Sequence, residues 1–423
     1  MRCLLTSWGS RGDLHPFLAL GQGLRARGHA VTLVGHPEWA TETASAGLRF
    51  VATAEPPRHD FLQSFPEVMS SQWGGLRGLH ALVRKGMAPS MEPTFAALMQ
   101  EAANHDVIVA HHFVFAAPAA AEIAKKPLVS VSLAPGVTPS AWSRPGPNFG
   151  RTGSGPLARL INRAIWQGGR FSTGLVVDPV VNHFRRQQGL APIKDAVFGT
   201  PSGAGTLHLY SSSFAPPPPD WPFGSSPTGF CFYDPPGELS PEAEAFLAEG
   251  DPPILFTLGS AAVQTPGAFY QEAVTALKLI GRRGLLLIGA EKNRPPNLPD
   301  TILAVPYAPY HVIMSRARAA VHQCGIGTLS HALRAGIPSV ACPFAFDQPN
   351  NARRLEALGV AEFLSPGRRN AAAIAEALER LLAGPAPDRA RSLGGSIRAE
   401  DGTTQACLRL EEWVARTGSR GLK

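Results

Sequence analysis

Charged residues are scarce in this chain. Only 17% of its 423 residues are Asp, Glu, Lys or Arg, against 44% hydrophobic. That balance excludes a chain kept unfolded by its own charge. Cysteine is scarcer still. The five cysteines (Cys3, Cys231, Cys324, Cys342 and Cys407) are scattered, odd in number and never spaced C-x-x-C. A disulfide framework and a zinc site are therefore not expected, and a reducing compartment is. No window approaches the roughly 18 apolar residues of a membrane span. The opening "MRCLLTSWGSRGD" lacks the apolar core and cleavage site of a secretory signal, so the expected location is cytoplasmic. Glycine (43) and proline (40) are plentiful but not periodic, which excludes collagen-like and repeat architectures. The net charge of +7 is modest for this length, and nucleic acid is not an expected partner. Anionic substrates stay open, as does peripheral contact with an acidic inner membrane face.

What is present is a rhythm. "RCLLTSW" reads as a buried strand, "GSRGDLHP" as a glycine-bearing loop, "FLALGQGLRARGH" as a helix starting near Pro16, and "AVTLVG" as a second strand. "DVIVAHHF" and "PLVSVSLA" extend the pattern. Alternation of this kind predicts βαβ units and a parallel sheet. The same rhythm restarts with "PILFTLGS" and continues through "GLLLIGA", "RAAVHQ", "GTLSHALRAG" and "PSVACPF". Four consecutive prolines near 216 fit neither a helix nor a central strand. The expectation is α/β, with two Rossmann-like domains at 1–215 and 241–400, a proline-rich linker at 216–240 and a C-terminal helix at 401–423 that packs back on the first domain. Two loosely helical stretches, 57–100 and 157–187, break the rhythm of the first half. Their aromatic residues suit an apolar pocket.

The stretch "VHQCGIGTLSHALRAGIPSVACPFAFDQPNNARRL" carries most of the chemistry. A strand ends near His322, a tight turn spans Gln323 to Gly327, and a helix opens near Thr328. Glycines let backbone amides approach an anion, and a helix N-terminus adds unpaired N–H groups and a positive dipole end. The turn lacks the Gly-Lys-Ser/Thr ending of a P-loop and the G-x-G-x-x-G spacing of a dinucleotide site. Asp347 and Gln348 follow the next strand and so reach the same sheet edge, where their donors and acceptors suit sugar hydroxyls. Ser260 ends a third strand on that edge.

Together with "GSRGDLHPFLALGQGLRARGHAVTLV", this stretch resembles the signatures of the GT-B, UDP-glycosyltransferase-like family. The branch suggested holds bacterial sterol, macrolide and rhamnolipid glycosyltransferases. The resemblance implies two Rossmann-like domains facing each other across a cleft. It implies an inverting, metal-independent transfer of a hexose from UDP-glucose or a dTDP-sugar to a hydrophobic polyketide, flavonoid, sterol or lipid. No cofactor is implied beyond the nucleotide sugar as co-substrate. A rhamnosyl transfer to a hydroxy-fatty acyl lipid is the nearest alternative. A nucleotide-sugar epimerase or an inactive binding protein of the same fold is the alternative of another class.

Residue by residue, the resemblance implies that Tyr307 stacks on the base. Gly325, Ile326, Gly327 and Thr328 hold the diphosphate with Ser260, and Asp347 and Gln348 touch the hexose. Many relatives read His-His-Gly-Gly where this chain reads His322-Gln323-Cys324-Gly325, and His322 is taken as the phosphate histidine. His331 stands near the ribose glutamate of plant-type members, which leaves the choice of UDP or dTDP open. Asp13 falls at the position of the catalytic base. His111 falls where plant-type relatives carry the aspartate that orients a catalytic histidine, so Asp13 and His111 are expected as a swapped dyad, with Asp13 as base. Histidine as base oriented by Asp13 stays open, as does His15, and an Asp before a helix also reads as an N-cap. Trp73, His112 and Trp142 are the expected acceptor contacts.

Overall fold

The computed structural model describes residues 1–54, 75–143, 155–199, 203–222 and 224–420. These form two compact units. The first runs to Tyr233 and takes in the C-terminal helix from Asp401; the second is Asp234–Glu400.

The first unit holds a seven-stranded sheet. Its strands are β1 (Arg2–Thr6), β2 (Ala30–Gly35), β3 (Arg49–Ala52), β4 (Val107–His111), β5 (Leu128–Ser132), β6 (Gly205–His208) and β7 (Ser225–Pro227). They lie in the order β3-β2-β1-β4-β5-β6-β7, and each pairing is parallel. Strands buried on both faces need no polar alternation. Accordingly β4 and β5 are buried at every residue. The chain leaves β1 toward β2 on one side and returns to β4 on the other. That reversal makes a switch point, where open α/β sheets place their ligands. The register aligns Thr6 with Ala110 and His111 with Val131, so the loops after β1, β4 and β5 leave side by side.

The second unit repeats the plan with six parallel strands. These are β8 (Ile254–Thr257), β9 (Gly284–Leu287), β10 (Ile302–Val305), β11 (Ala319–His322), β12 (Ser339–Ala341) and β13 (Ala361–Phe363), ordered β10-β9-β8-β11-β12-β13. Its switch point lies between β8 and β11. His322 is level with Thr257 on one side and Ala341 on the other. Loops from three neighbouring strands therefore emerge together.

The helices that bear on function are α1 (Arg11–Ala26), α2 (Ala88–Ala102), α3 (Ala116–Ala124), α4 (Pro156–Gln187), α5 (Ile326–Ala335), α6 (Gln348–Ala357) and α7 (Gly402–Arg420). α2, α3 and the C-terminal half of α4 close the core of the first unit, with Phe95 against the Phe184 ring at 5.6 Å. α7 packs on α1. A Cβ on Gly23 would meet Thr403 Cγ2 at 2.5 Å, so the close approach needs a glycine. Arg27 grips Glu411 with two hydrogen bonds of 2.7 and 2.8 Å, and His29 adds a third at 2.7 Å. These partners, Arg27 first, lower the Glu411 carboxyl to about 2.

Several sequence expectations change. Helix α1 starts at Arg11, with Ser10 as its cap, so Pro16 lies inside the helix rather than at its start. The expected linker 216–240 is divided. Its residues up to Tyr233 belong to the first unit, where β7 extends the sheet as an edge strand and Phe230, Cys231 and Tyr233 are buried. An edge strand tolerates prolines because half its backbone groups need no sheet partner. The loosely helical stretch 157–187 falls within a single helix, Pro156–Gln187, of 32 residues. Its Trp166 is core: the indole donates to the Ser143 carbonyl at 2.7 Å. Arg185 is likewise buried and bonded to Glu122 at 2.8 Å. Among the described residues no helix is long and apolar enough to cross a membrane.

Candidate active site

The switch point of the second unit is built from a tight turn. Strand β11 ends at His322, Cys324 takes φ 65°, and Gly325 caps α5 in extended geometry. No side chain caps α5, so its first amides are left for a ligand. Gly325, Ile326 and Gly327 are half-buried and Thr328 is buried. Gly259, after β8, has φ 66°, and a Cβ there would meet Gln323 Nε2 at 2.2 Å and Thr328 Oγ1 at 3.1 Å. The glycine is thus required twice, by backbone and by space. Ser260, next along, is exposed. Tyr307 is 61% exposed.

His322 does not fit the role of phosphate ligand. It is fully buried; its Nδ1 accepts from the Cys324 amide at 3.0 Å, and its Nε2 faces Ser339 Oγ at 3.0 Å. Both nitrogens are committed inside the fold, and burial lowers its pKa to about 4. The register explains this. As the last residue of β11, His322 is held against Ser339 at the start of the neighbouring β12. The next residue, Gln323, is also buried but lies past the strand end, in the turn. Its amide lies against Gly259 and Gly325 and donates to Thr328 Oγ1 at 3.2 Å, while its Oε1 has no hydrogen-bond partner.

The loop after β12 is pinned from within. Gln348 Oε1 accepts from the Phe344 and Ala345 amides at 2.8 and 3.0 Å. Its oxygen is taken up by the loop, so only the amide nitrogen is left to reach a sugar. Asp347 is half-buried and accepts from Asn351 Nδ2 at 2.6 Å. Asn351 also donates to the Cys324 carbonyl at 3.0 Å, which ties Asp347 to the glycine turn. Sequence reasoning missed Asn351. Its signal was the four-residue spacing from Asp347, one turn along α6. His331 lies edge-on to Tyr310, with the Arg334 guanidinium 3.5 Å away, and Arg334 pairs with Asp234 at 2.6 Å.

In the first unit, Asp13 is the third residue of α1. Its Oδ2 accepts from Ser10 N at 2.7 Å and from Ser10 Oγ at 3.1 Å, while Ser10 Oγ accepts from Gly12 N, closing a capping box. Gly9, at φ 129°, makes room: a Cβ would sit 2.3 Å from Asp13 Oδ2. The expected dyad is not joined. His111 Nδ1 is buried without a hydrogen-bond partner, and the ring contacts Phe17 edge-on. Burial, then the neighbouring His112, holds His111 well below the usual imidazole pKa, opposed by a hydrogen bond with the Trp8 backbone. His15 is paired with Glu42 at 2.7 Å. Of the three candidate bases, Asp13 is half-buried, His15 is paired with Glu42 and His111 is buried.

His111 and His112 border a pocket within the first unit that also meets Ser132, Thr138, Phe198 and His208. His112 Nδ1 donates to the Val131 carbonyl at 3.2 Å. His208, at the end of β6, was missed by sequence reasoning. It stacks on Trp221 at 4.0 Å and is pushed by burial to about 3. A histidine in the apolar strand "TLHLY" was the available signal. Trp142 is 43% exposed under the Arg159 guanidinium, which lies 4.8 Å from the ring centre. Trp73 lies outside the described residues.

These buried histidines set a pH dependence. Between the folded values of His322 and His208 and the ordinary value of about 6.5, the unfolded chain binds more protons than the fold. Stability is therefore complete above about pH 6.5 and falls as pH drops through that window, by roughly 1–2 kcal/mol per histidine at pH 5. Denaturant melts at pH 7 and pH 5 check this, and a flat profile would contradict the assignment of two neutral, buried imidazoles.

Comparison with known proteins supplies an independent reading. Residues 3–122 match the glycosyltransferase family 28 N-terminal domain, and residues 286–403 match the erythromycin biosynthesis protein CIII-like C-terminal domain. The chain is 38% identical to O-mycaminosyltylonolide 6-deoxyallosyltransferase of Streptomyces fradiae over 98% of each chain. It is 30% identical to glycosyltransferase GtfC of Amycolatopsis orientalis over 99% of each. Among solved structures, glycosyltransferase VinC in complex with dTDP superposes with a TM-score of 0.70 at 20% identity, covering 98% of this chain and 100% of that one. That similarity shows the fold.

Proposed function

Since the chain belongs to the GT-B, UDP-glycosyltransferase-like family and is a glycosyltransferase, we propose that it moves a deoxyhexosyl or hexosyl group from a nucleoside-diphosphate sugar to a hydroxyl of a polyketide-type acceptor. The observation that carries this is the uncapped N-terminus of α5, flanked by Ser260 on one side and Asp347 on the other. A diphosphate at that end meets the first amides of α5, the Thr328 hydroxyl and the Gln323 amide. The charge that develops as the anomeric C–O bond breaks falls on the same groups, which need no rearrangement to receive it. Tyr307 stacks on the base, and Asp347 takes hexose hydroxyls.

Asp13 accepts the proton of the acceptor hydroxyl as its oxygen attacks the anomeric carbon, and attack opposite the leaving group inverts the configuration. His111 is a neutral neighbour of this site rather than the base. The pocket bordered by His112 and His208, with Trp142 nearby in sequence, receives the acceptor. The Streptomyces fradiae relative, named for moving 6-deoxyallose onto a mycaminosylated tylonolide, supports a polyketide acceptor over a sterol.

A panel of UDP, dTDP and their glucose, galactose and rhamnose conjugates tests the donor half. At about a hundredfold excess over its dissociation constant, a bound donor stabilises the fold by roughly 2.7 kcal/mol, a melting shift of several degrees. If no member of the panel shifts the melt, the reading fails.

A further inference from the structure

Phe346 stands one residue before Asp347 with φ 57°. A left-handed backbone is ordinary for glycine and unusual for a bulky side chain, whose Cβ it crowds. Such strain persists where the surroundings over-determine it. Here they do. The Gln348 side-chain oxygen accepts from the Phe344 and Ala345 amides, Ala345 is buried, and the Gln348 backbone N–H donates to the Ala345 carbonyl at 3.2 Å. Phe346 is 47% exposed, so the core covers only about half of it. Backbone preference does not account for a phenylalanine at this position, and about half of its surface faces solvent.

We propose that Phe346 is a specificity-determining residue for the transferred sugar, favouring one with a deoxygenated edge. The inference rests on the reading of Asp347 as a hexose contact. The ring is on the adjoining residue, so a sugar whose hydroxyls reach the carboxylate presents a neighbouring edge to an apolar, solvent-facing surface. A C–H or methyl edge displaces water from the ring at no cost. A hydroxyl there loses its water and finds no partner. Apolar contacts of this size discriminate by roughly 10- to 200-fold.

The test uses Phe346→Gly, which suits the backbone, and Phe346→Asn, which tolerates the left-handed region while removing the ring. Each variant is compared with the wild type for kcat/KM on a dTDP-6-deoxyhexose and on dTDP-glucose, and for the affinity of dTDP alone. The expected result is a wild-type preference for the deoxy sugar that shrinks about tenfold or more in both variants, with dTDP affinity unchanged and the Phe346→Gly melting temperature equal or higher. A preference ratio unchanged in both variants overturns the proposal and leaves the ring a structural feature. A wild type that prefers dTDP-glucose overturns it too. Failure of both dTDP and UDP to bind the wild type overturns instead the donor site on which the proposal rests.

Discussion

Asp13→Asn lowers kcat by roughly 10²–10⁴-fold, the range that general-base catalysis contributes, while nucleotide affinity stays at the wild-type value. The choice of asparagine matters. Asp13 has two roles in the structure, because its Oδ2 also accepts from the Ser10 amide and closes the cap of α1. Alanine would remove both roles and cost about 1 kcal/mol of helix stability besides. Asparagine keeps an oxygen for the Ser10 amide and cannot take a proton at neutral pH. A fall in turnover without a fall in melting temperature therefore isolates the base. Near-normal turnover in Asp13→Asn would move the base to His15 or His111. The geometry disfavours both. His15 is engaged by Glu42, and His111 is buried with a pKa depressed by that burial.

Gly259→Val weakens binding of the nucleoside diphosphate by roughly 10- to 100-fold and leaves the first unit untouched. Two effects act together. A left-handed residue with a branched Cβ costs about 1–2 kcal/mol, and the added carbon falls where the Gln323 amide already sits. Overpacking of that kind costs roughly 1–3 kcal/mol. Gln323 must yield toward Thr328 and the mouth of the turn, where the diphosphate is proposed to bind. A few kcal/mol directed at the bound state corresponds to the stated loss. The check is a calorimetric titration alongside a melting curve. Unchanged affinity in a folded Gly259→Val protein would show that the diphosphate lies elsewhere.

The particular residues explain how far the sequence could be read. Strand positions were legible because parallel strands are buried on both faces and appear as apolar runs, as in "DVIVAHHF" and "PILFTLGS". The glycine turn was legible because glycines and a helix start sit together between two such runs. The direction of a side chain at a strand's end was not. His322 and Gln323 differ by one residue, and that step separates a side chain bonded to Ser339 of the next strand from one bonded to Thr328 in the first turn of α5. Family resemblance favoured His322 by residue type, whereas register decides the matter. The start of α1 was misplaced for a local reason: Pro16 looks like a first-turn proline, but the reciprocal bonds of Ser10 and Asp13 begin the helix five residues earlier. The proline run near 216 was read as a linker because prolines exclude a central strand, yet they leave an edge strand such as β7 free to form nearby. Gln348 was read as a sugar contact from its type, and half of its amide proves to be part of the loop's own framework.

The central claim is a division of labour, with donor binding in the turn at α5 and proton transfer at Asp13. Titrating dTDP into Asp13→Asn and Gly259→Val, side by side with the wild type, tests it most directly. The account predicts a wild-type dissociation constant for Asp13→Asn and one raised roughly 10- to 100-fold for Gly259→Val. Equal affinities in all three proteins, or a loss confined to Asp13→Asn, would contradict it.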